Sequence, residues 1–281
     1  MNELDLTSSA AEYVETSIKD GVATVMMNRP AKLNGWTMEM MDAFKEAFAK
    51  ADEAKAVKAI ILTGSGKYYS AGVNLGGTIQ VMPPKELHKL IVEHNQELFE
   101  AFLDCKKPIL VAINGPAIGA SVTSATLCNG IISSETGTFS TPFAALGITP
   151  EGCSSIHFSR LMGEKNAQRM LGDEGWKPSA KEALKAGLVQ WVVPADELIE
   201  EAQKIAQGWV KSGETRKFLA GSELEELQQA NARESLELAD AFLGADFLRE
   251  QGRFLWSKKK HAPSLMFFSL WALRPIWGRF I

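Results

Sequence analysis

Cysteine is scarce in this 281-residue chain, which contains only Cys105, Cys128 and Cys153. An odd and sparse set cannot build a disulfide framework, so we expect a reducing compartment. Charge of one sign is not in excess either, because 30 basic residues stand against 34 acidic ones. This balance argues against a nucleic-acid partner. The sequence also lacks an apolar run approaching the about 20 residues of a membrane-spanning helix.

Short β-rich runs alternate with helical patterns in the first two thirds of the chain. Residues 22–27, 57–63 and 109–113 are nearly continuously apolar, as expected for strands covered on both faces. Helical patterns occupy residues 37–51 and 84–104, with Thr37 as the expected N-cap. This alternation predicts an α/β fold with a parallel sheet. Two weaker strands are predicted at residues 131–132 and 188–193.

The composition changes after Pro194, where three charged helical segments follow without a strand. We therefore predict a core at residues 1–195, a helical domain at 196–260 and an aromatic-rich tail at 261–281. The tail either packs on its own or a neighbouring subunit, or contacts a membrane or a protein through residues 263–281. Pro275 is expected to interrupt any long helix there.

Several familiar motifs fail on inspection. Residues 64–67 resemble the end of a phosphate-binding loop, but Ile61 stands where the pattern needs glycine and Tyr68 where it needs serine or threonine. The four histidines lack the spacing of a metal site, so no metal is expected. Cys153 has no basic neighbour in sequence, and we interpret it as a packing residue.

Two glycine-containing turns follow predicted strands, at residues 69–75 and 114–121. Each can expose backbone N–H groups beside a small residue, where a ligand can approach closely. Two amides that converge on one carbonyl oxygen would form an oxyanion hole. Either turn alone is equally well explained as an ordinary tight turn.

Residues 28–34 (Asn-Arg-Pro-Ala-Lys-Leu-Asn), the Ser-Ala-Gly-Val-Asn-Leu turn and the Asn-Gly-Pro-Ala-Ile-Gly turn resemble, in this order, the crotonase (enoyl-CoA hydratase/isomerase) superfamily. The resemblance spans roughly residues 11–260. It implies an α/β spiral of ββα units with a C-terminal helical trimerisation domain, assembled as a homotrimer or a dimer of trimers. It also implies an oxyanion hole formed by the amides of Ala71 and Ala120.

The two glutamates of hydratases in this superfamily would fall at Thr123 and Phe143, so hydration of an enoyl-CoA is not expected. Instead, the Pro-Glu-Gly-Cys-Ser-Ser run at 150–155 is similar to peroxisomal-type 3,2-trans-enoyl-CoA isomerases, whose catalytic glutamate corresponds to Glu151. The alternative for Glu151 is an acid that complements the N-terminus of a following helix. A dry pocket would raise its pKa and a helix N-terminus would lower it; we expect desolvation to prevail in part.

The resemblance therefore implies an isomerase of fatty acid β-oxidation that shifts a 3-enoyl-CoA to a trans-2-enoyl-CoA, with coenzyme A entering as the thioester substrate and no cofactor. Cytoplasmic localisation is expected for a bacterial source; the family also allows a peroxisome, although the chain does not end in a targeting tripeptide. Another acyl-CoA reaction (hydrolysis, dehalogenation, decarboxylation, atypical hydration) or a non-catalytic CoA-ester binder remains an alternative. The residues implied to bind substrate are Lys32, Leu33, Ser70, Gly72, Val73, Asn74, Leu75, Gly119, Phe143, Leu146, Arg253, Phe254 and Lys258.

Overall fold

The computed structural model describes residues 12–73 and 82–281. Within them, a six-stranded sheet has the order β1-β2-β3-β4-β6-β8, and β5 pairs with β7 in a separate small sheet. The β1–β2 pair is antiparallel and the remaining pairs are parallel. The strands are β1 (Val14–Lys19), β2 (Val22–Met27), β3 (Ala59–Gly64), β4 (Ile109–Ile113), β5 (Ala117–Ile118), β6 (Gly130–Ser134), β7 (Phe139–Ser140) and β8 (Trp191–Val193).

Helices fill the longer connections between the strands and make up most of the chain after β8. They are α1 (Met38–Glu53), α2 (Pro84–Leu103), α3 (Ala120–Thr126), α4 (Phe143–Leu146), α5 (Ser154–Met162), α6 (Glu164–Leu171), α7 (Ala180–Ala186), α8 (Leu198–Ser212), α9 (Leu224–Phe242), α10 (Ala245–Ser257) and α11 (His261–Trp277). Thr37 caps α1 as predicted, with its side chain accepting from the Met40 amide at 3.4 Å.

Strand β1 was not predicted from the sequence, because threonine and serine interrupt its alternation of apolar and polar residues. Its pairing with β2 makes it the edge of the sheet. The last predicted strand was too long, since only Trp191–Val193 pairs with β6.

Packing continues across the boundary predicted near residue 195. Leu198, Ala202 and Ala206 of α8 are buried in a core cluster with strand residues such as Ile61 and Leu110. The other face of the sheet is covered by a larger cluster that includes α1 and α2. Helix α8 therefore completes the sheet core, and α9 contributes to the cavity described below.

Arg216 ties together the ends of two helices. Its guanidinium donates to the backbone carbonyls of Phe102 (2.8 Å), Leu127 (2.6 Å) and Cys105 (3.1 Å) and to the Asn129 side-chain oxygen (3.0 Å). The first two carbonyls lie at the C-terminal ends of α2 and α3, where a cation is favourable.

We expect Arg216→Met to lower the free energy of unfolding by about 2–4 kcal/mol, because it leaves buried carbonyls without donors. Urea denaturation measures this difference. Lys217→Met, at the exposed neighbouring position, is the matched control and should change stability by less than about 0.5 kcal/mol. Equal effects of the two substitutions would show that the Arg216 bonds are not stabilising.

Helix α11 forms the tail and packs on α10 through Phe267, which joins a small cluster with Phe247 and Leu248. The prediction that Pro275 interrupts the helix was wrong, because α11 runs through Pro275 to Trp277. A proline so near the helix end removes one hydrogen bond but leaves little helix beyond it to disrupt. The outward side of α11 exposes apolar side chains, including Leu265, Trp271, Leu273 and Ile276. No helix in the described residues has the length and hydropathy required to cross a membrane.

Candidate active site

The two turns predicted from the sequence lie side by side at the carboxyl ends of β3 and β4. A parallel bridge pairs Ser70 of the first turn with Ala117 of the second. Contact is so close that a Cβ on Gly72 would lie 2.4 Å from the Ile118 carbonyl oxygen. Gly72 also has a φ of +76°, a region that favours glycine. The two turns are thus held in direct contact with each other.

Two asparagine side chains fix the loops beneath these turns. Asn34 donates to the carbonyls of Ser65 and Tyr68, both at 2.9 Å, and accepts from the Arg29 amide. Asn114 accepts from the Gly64 amide at 3.2 Å and donates to the carbonyls of Gly66 and Tyr68. Side-chain bonds of this kind replace the regular ladder where strands end.

The structure corrects one of the two predicted amide donors. The Ala71 N–H donates to the Leu33 carbonyl at 2.9 Å, so it is engaged within the protein. The Gly72 N–H is also engaged, by the Ser70 hydroxyl at 3.0 Å. Val73, the next residue, has no backbone acceptor among the described residues. The amide available in the first turn is therefore that of Val73.

Ser70 was also predicted to contact substrate, and this was wrong. Its side chain is fully buried and its hydroxyl donates to the Asn34 carbonyl at 2.7 Å while accepting from Gly72. It holds the first turn in place. Ala120, by contrast, is the first residue of α3, and its N–H has no backbone acceptor among the described residues.

Both turns open into a cavity of about 450 Å³ whose wall is largely apolar. The predicted residues Gly72, Val73, Gly119, Phe143 and Leu146 all line it, as do Ala71, Ala120 and Glu151. The remaining wall comes from α1, α2 and α9, from β5, and from residues that precede α2 or flank α4. These lining residues are Met38, Met41, Met82, Leu90, Ile91, His94, Asn95, Leu98, Ile118, Pro142, Ile148, Leu238 and Phe242.

Glu151 reaches this cavity from the turn that precedes α5. Its residue is only 7% exposed, and no described group donates a hydrogen bond to its carboxyl. Gly152, which follows it, has a φ of +65°, and a Cβ there would lie 2.5 Å from the Phe99 ring and 2.6 Å from the Thr123 hydroxyl. Because Gly152 packs closely against Phe99 and Thr123, the neighbouring Glu151 is held at the cavity wall rather than in solvent.

Burial raises the pKa of Glu151 to about 8, and the negative charge of Glu234 contributes to the rise. The sequence alone could not show whether desolvation or a helix N-terminus has the larger effect on this pKa. Desolvation prevails, and the helix N-terminus that was expected to oppose it is occupied by another residue.

That residue is Glu234 of α9. Its carboxylate accepts from the Cys153 amide at 2.7 Å, from the Ser155 amide at 3.0 Å and from the Ser155 hydroxyl. Burial raises the pKa of Glu234 to about 7, although these hydrogen bonds lower it. The acid at the N-terminus of α5 is therefore Glu234, and the helix-terminus interpretation of Glu151 is wrong.

Among the described lining residues, Glu151 is the only carboxylic acid and His94 the only other titratable group. The two positions at which hydratases would carry glutamates hold other residues here. Phe143 forms part of the cavity wall, and Thr123 is fully buried with its hydroxyl donating to the Ala120 carbonyl at 3.2 Å. In residues 12–73 and 82–281, no group of three or more histidine, cysteine or acidic residues is placed to hold a metal ion.

Some predicted binding residues lie outside this cavity. Lys32 ends the short helical segment Pro30–Lys32, and Leu33, which is 42% exposed, follows it and contacts the first turn through its carbonyl. Arg253, Phe254 and Lys258 lie on and just after α10, where Arg253 pairs with Glu250 at 2.8 Å and the Lys258 ammonium lies 5.7 Å from the Phe254 ring centre. The predicted contacts at Asn74 and Leu75 fall outside the described residues.

Sequence reasoning missed Glu234, His94 and Asn95. Asn95 is 7% exposed and donates to the Ser235 hydroxyl at 2.9 Å, which links α2 to α9 beside the cavity. For Glu234 a signal existed: it falls in the stripe of α9 that otherwise buries Leu227, Ala230 and Leu238. A charged residue in such a stripe is rarely buried without a partner.

A family model described as "Enoyl-CoA hydratase/isomerase" matches residues 17–247. The chain belongs to this family. Among solved structures, an enoyl-CoA hydratase/isomerase from Pseudoalteromonas atlantica T6c superposes with a TM-score of 0.75 at 28% identity, covering 87% of this chain and 97% of the other. An enoyl-CoA hydratase from Mycobacterium avium subsp. paratuberculosis K-10 gives 0.72 at 26% identity, covering 87% and 96%. The predicted crotonase-like α/β fold is thereby confirmed.

Relatives within the enoyl-CoA hydratase/isomerase family carry different names. Human enoyl-CoA delta isomerase 2 is 32% identical over 263 residues, which are 91% of this chain and 66% of the human protein. The chain thus spans slightly less than two thirds of that relative. Mouse peroxisomal enoyl-CoA delta isomerase 3 is 29% identical, covering 86% of this chain and 78% of its own length. A probable mitochondrial enoyl-CoA hydratase from Dictyostelium discoideum is 34% identical, covering 68% of each.

Proposed function

We propose that this protein isomerises 3-enoyl-CoA thioesters to trans-2-enoyl-CoA thioesters. The observation that supports this most strongly is the Glu151 carboxyl, the one acid among the described lining residues, in an apolar cavity that Val73 and Ala120 also line. Two of the relatives named above are enoyl-CoA delta isomerases. Hydration is less well supported, since a second acid that could act on water is not found among the described lining residues.

In the proposed reaction, ionised Glu151 removes a proton from C2 of the 3-enoyl thioester. The electron pair spreads over C2, C3 and C4 and onto the thioester oxygen, giving a dienolate. The N–H groups of Val73 and Ala120 donate to that oxygen as its negative charge grows; one such donor is typically worth about 3 kcal/mol of barrier. Glu151 then returns the proton to C4, which leaves the double bond between C2 and C3 and regenerates the carboxylate.

The apolar part of the cavity suits an acyl chain, and its methionines can adapt to a flexible chain. We further propose that Lys32 contacts the phosphates of coenzyme A at the outer end of the first turn. Arg253, Phe254 and Lys258 would reach the nucleotide of a neighbouring subunit in a homotrimer or a dimer of trimers. Their exposed positions, away from the cavity of their own chain, support a contact between subunits.

The proposed reaction is tested by incubating the protein in deuterated water with a 3-enoyl-CoA and, separately, with the corresponding 2-enoyl-CoA. We expect the 3-enoyl ester to become the trans-2-enoyl ester without gain of water, with some deuterium at C2 or C4 from exchange at Glu151. Mass spectrometry and NMR measure both outcomes.

Conversion of the 2-enoyl ester to a 3-hydroxyacyl ester would instead establish a hydratase. Release of free coenzyme A would indicate hydrolysis. Tight binding of both esters without any chemical change would indicate a CoA-ester binder. Each of these three results contradicts the isomerase proposal.

A further inference from the structure

A buried second carboxyl lies behind the proposed catalytic one, and the reaction described above does not use it. Glu234 belongs to α9, a different element from the turn that carries Glu151, and its side chain is fully buried. All three hydrogen bonds that it accepts come from residues 153 and 155, two to four positions after Glu151.

We propose that Glu234 is a positioning residue for Glu151, which holds the turn at residues 151–155 from α9 and places a buried negative charge next to that turn. This inference rests on the proposed isomerase function. Glu234 lies outside the lining of the cavity, so it acts through Glu151 and not on the substrate.

The first part of this role is mechanical. Cys153 precedes α5 with a φ of +63°, an unfavourable conformation for a residue with a side chain. Its amide donates to Glu234 at 2.7 Å, and its thiol contacts the Leu227 carbonyl at 3.2 Å, so both bonds anchor the strained turn to α9. Charge-assisted bonds to backbone amides are among the stronger ones in proteins. Glu234 therefore stabilises the strained conformation that keeps Glu151 at the cavity wall.

The second part is electrostatic. Glu234 accepts three hydrogen bonds at a helix N-terminus, both of which favour its ionised form, whereas the Glu151 carboxyl accepts none from the described residues. When the pair holds one proton, Glu151 is thus the better site for it. Since a base of higher pKa removes a carbon-bound proton faster once ionised, the charge of Glu234 favours the chemical step.

Few other titratable groups face this pair. On α9, Arg233 donates to the Ser155 hydroxyl at 3.2 Å and lies 3.9 Å from the exposed Glu237. The Cys153 thiol has its pKa raised by burial and stays protonated. From α2, His94 lies on the cavity wall, with Nδ1 at 2.7 Å from the Leu90 carbonyl.

The test is the pH dependence of kcat/KM for 3-enoyl-CoA isomerisation in the wild type, in Glu234→Gln and in Glu234→Asp. In the wild type the rate should rise with pH through about 8, as Glu151 loses its proton. Glu234→Gln should move this rising limb to lower pH by roughly half a unit to one unit and lower the plateau about tenfold. Glu234→Asp keeps the charge but is shorter, so its limb should stay near the wild-type position while its plateau falls.

Glu237→Gln is the matched control, because it removes an exposed charge three residues further along α9; its profile should superpose on that of the wild type. If Glu234→Gln does not fold, Ser155→Ala replaces it, since loss of one bond to Glu234 weakens its ionised form and should move the limb in the same direction by less. Titration of the Glu151 carboxyl carbon by NMR must show the same displacement without turnover.

A limb at the same pH in the wild type and in Glu234→Gln overturns the proposal, because a merely structural glutamate would lower only the plateau. Failure of the proposed function has a different signature. In that case the wild type itself would not isomerise 3-enoyl-CoA, whereas the NMR titration would still show the displaced titration of Glu151 in Glu234→Gln.

Discussion

Glu151→Gln should lower the rate of 3-enoyl-CoA isomerisation by about 10³- to 10⁴-fold. The amide keeps the size of the side chain but cannot remove the C2 proton, and general base catalysis is typically worth 10²–10⁴. Binding of a CoA ester should change little, because the Val73 and Ala120 amides and the apolar wall are untouched. Steady-state kinetics and equilibrium binding together measure this separation.

A control variant and a stability measurement test whether the loss of rate comes from the Glu151 carboxyl itself. Glu164→Gln, an exposed acid in the first turn of α6, is the matched control and should keep the wild-type rate. Stability should also respond: a carboxyl whose pKa rises to about 8 on folding makes the native state less stable as pH increases from about 5 to 8. Glu151→Gln has no such group, so it should equal or exceed the wild type in unfolding free energy at pH 8. A wild-type isomerisation rate in Glu151→Gln would end the assignment.

Gly72→Ala should lower kcat/KM by about 10²-fold. The new Cβ would lie 2.4 Å from the Ile118 carbonyl, so the two turns must separate, and a φ of +76° adds backbone strain. Separation moves the Val73 amide away from that of Ala120, and the loss of one oxyanion donor typically costs 10²–10³ in rate.

Gly208→Ala is the matched control for this substitution. Gly208 lies in α8, where a Cβ meets nothing within 4 Å, so alanine should leave the rate unchanged and raise stability by about 0.5–1 kcal/mol. Kinetics and thermal denaturation of the two variants separate turn geometry from a general effect of adding a methyl group. A rate for Gly72→Ala near that of the wild type would show that the contact between the turns is not needed.

The sequence predicts much of the sheet because its parallel strands are buried on both faces and form continuous apolar runs, as at Ile109–Ile113. Strand β1, whose pattern is mixed, gave no such signal. The packing of α8 on the sheet could not be predicted from local patterns either, since it brings Leu198 against residues as distant in sequence as Ile61 and Leu110.

In the site, too, some features could be predicted from the sequence and others only from the structure. The resemblance of short motifs located both turns, Glu151 and the cavity residues Phe143 and Leu146. The identity of the available amide depends on hydrogen bonds, and only the structure shows that Ala71 donates to Leu33 while Val73 has no backbone acceptor among the described residues. Glu234 is separated from Glu151 by 83 positions, so neither its hydrogen bonds to residues 153 and 155 nor its effect on a pKa could be inferred from local pattern.

A crystal structure with a bound, unreactive saturated acyl-CoA tests the geometry most directly. We expect the thioester oxygen to accept from the amides of both Val73 and Ala120, and a Glu151 carboxyl oxygen to lie about 3–3.5 Å from C2 on the face that also approaches C4. A thioester bound elsewhere, or a Glu151 side chain turned away from C2, would contradict proton transfer by this residue.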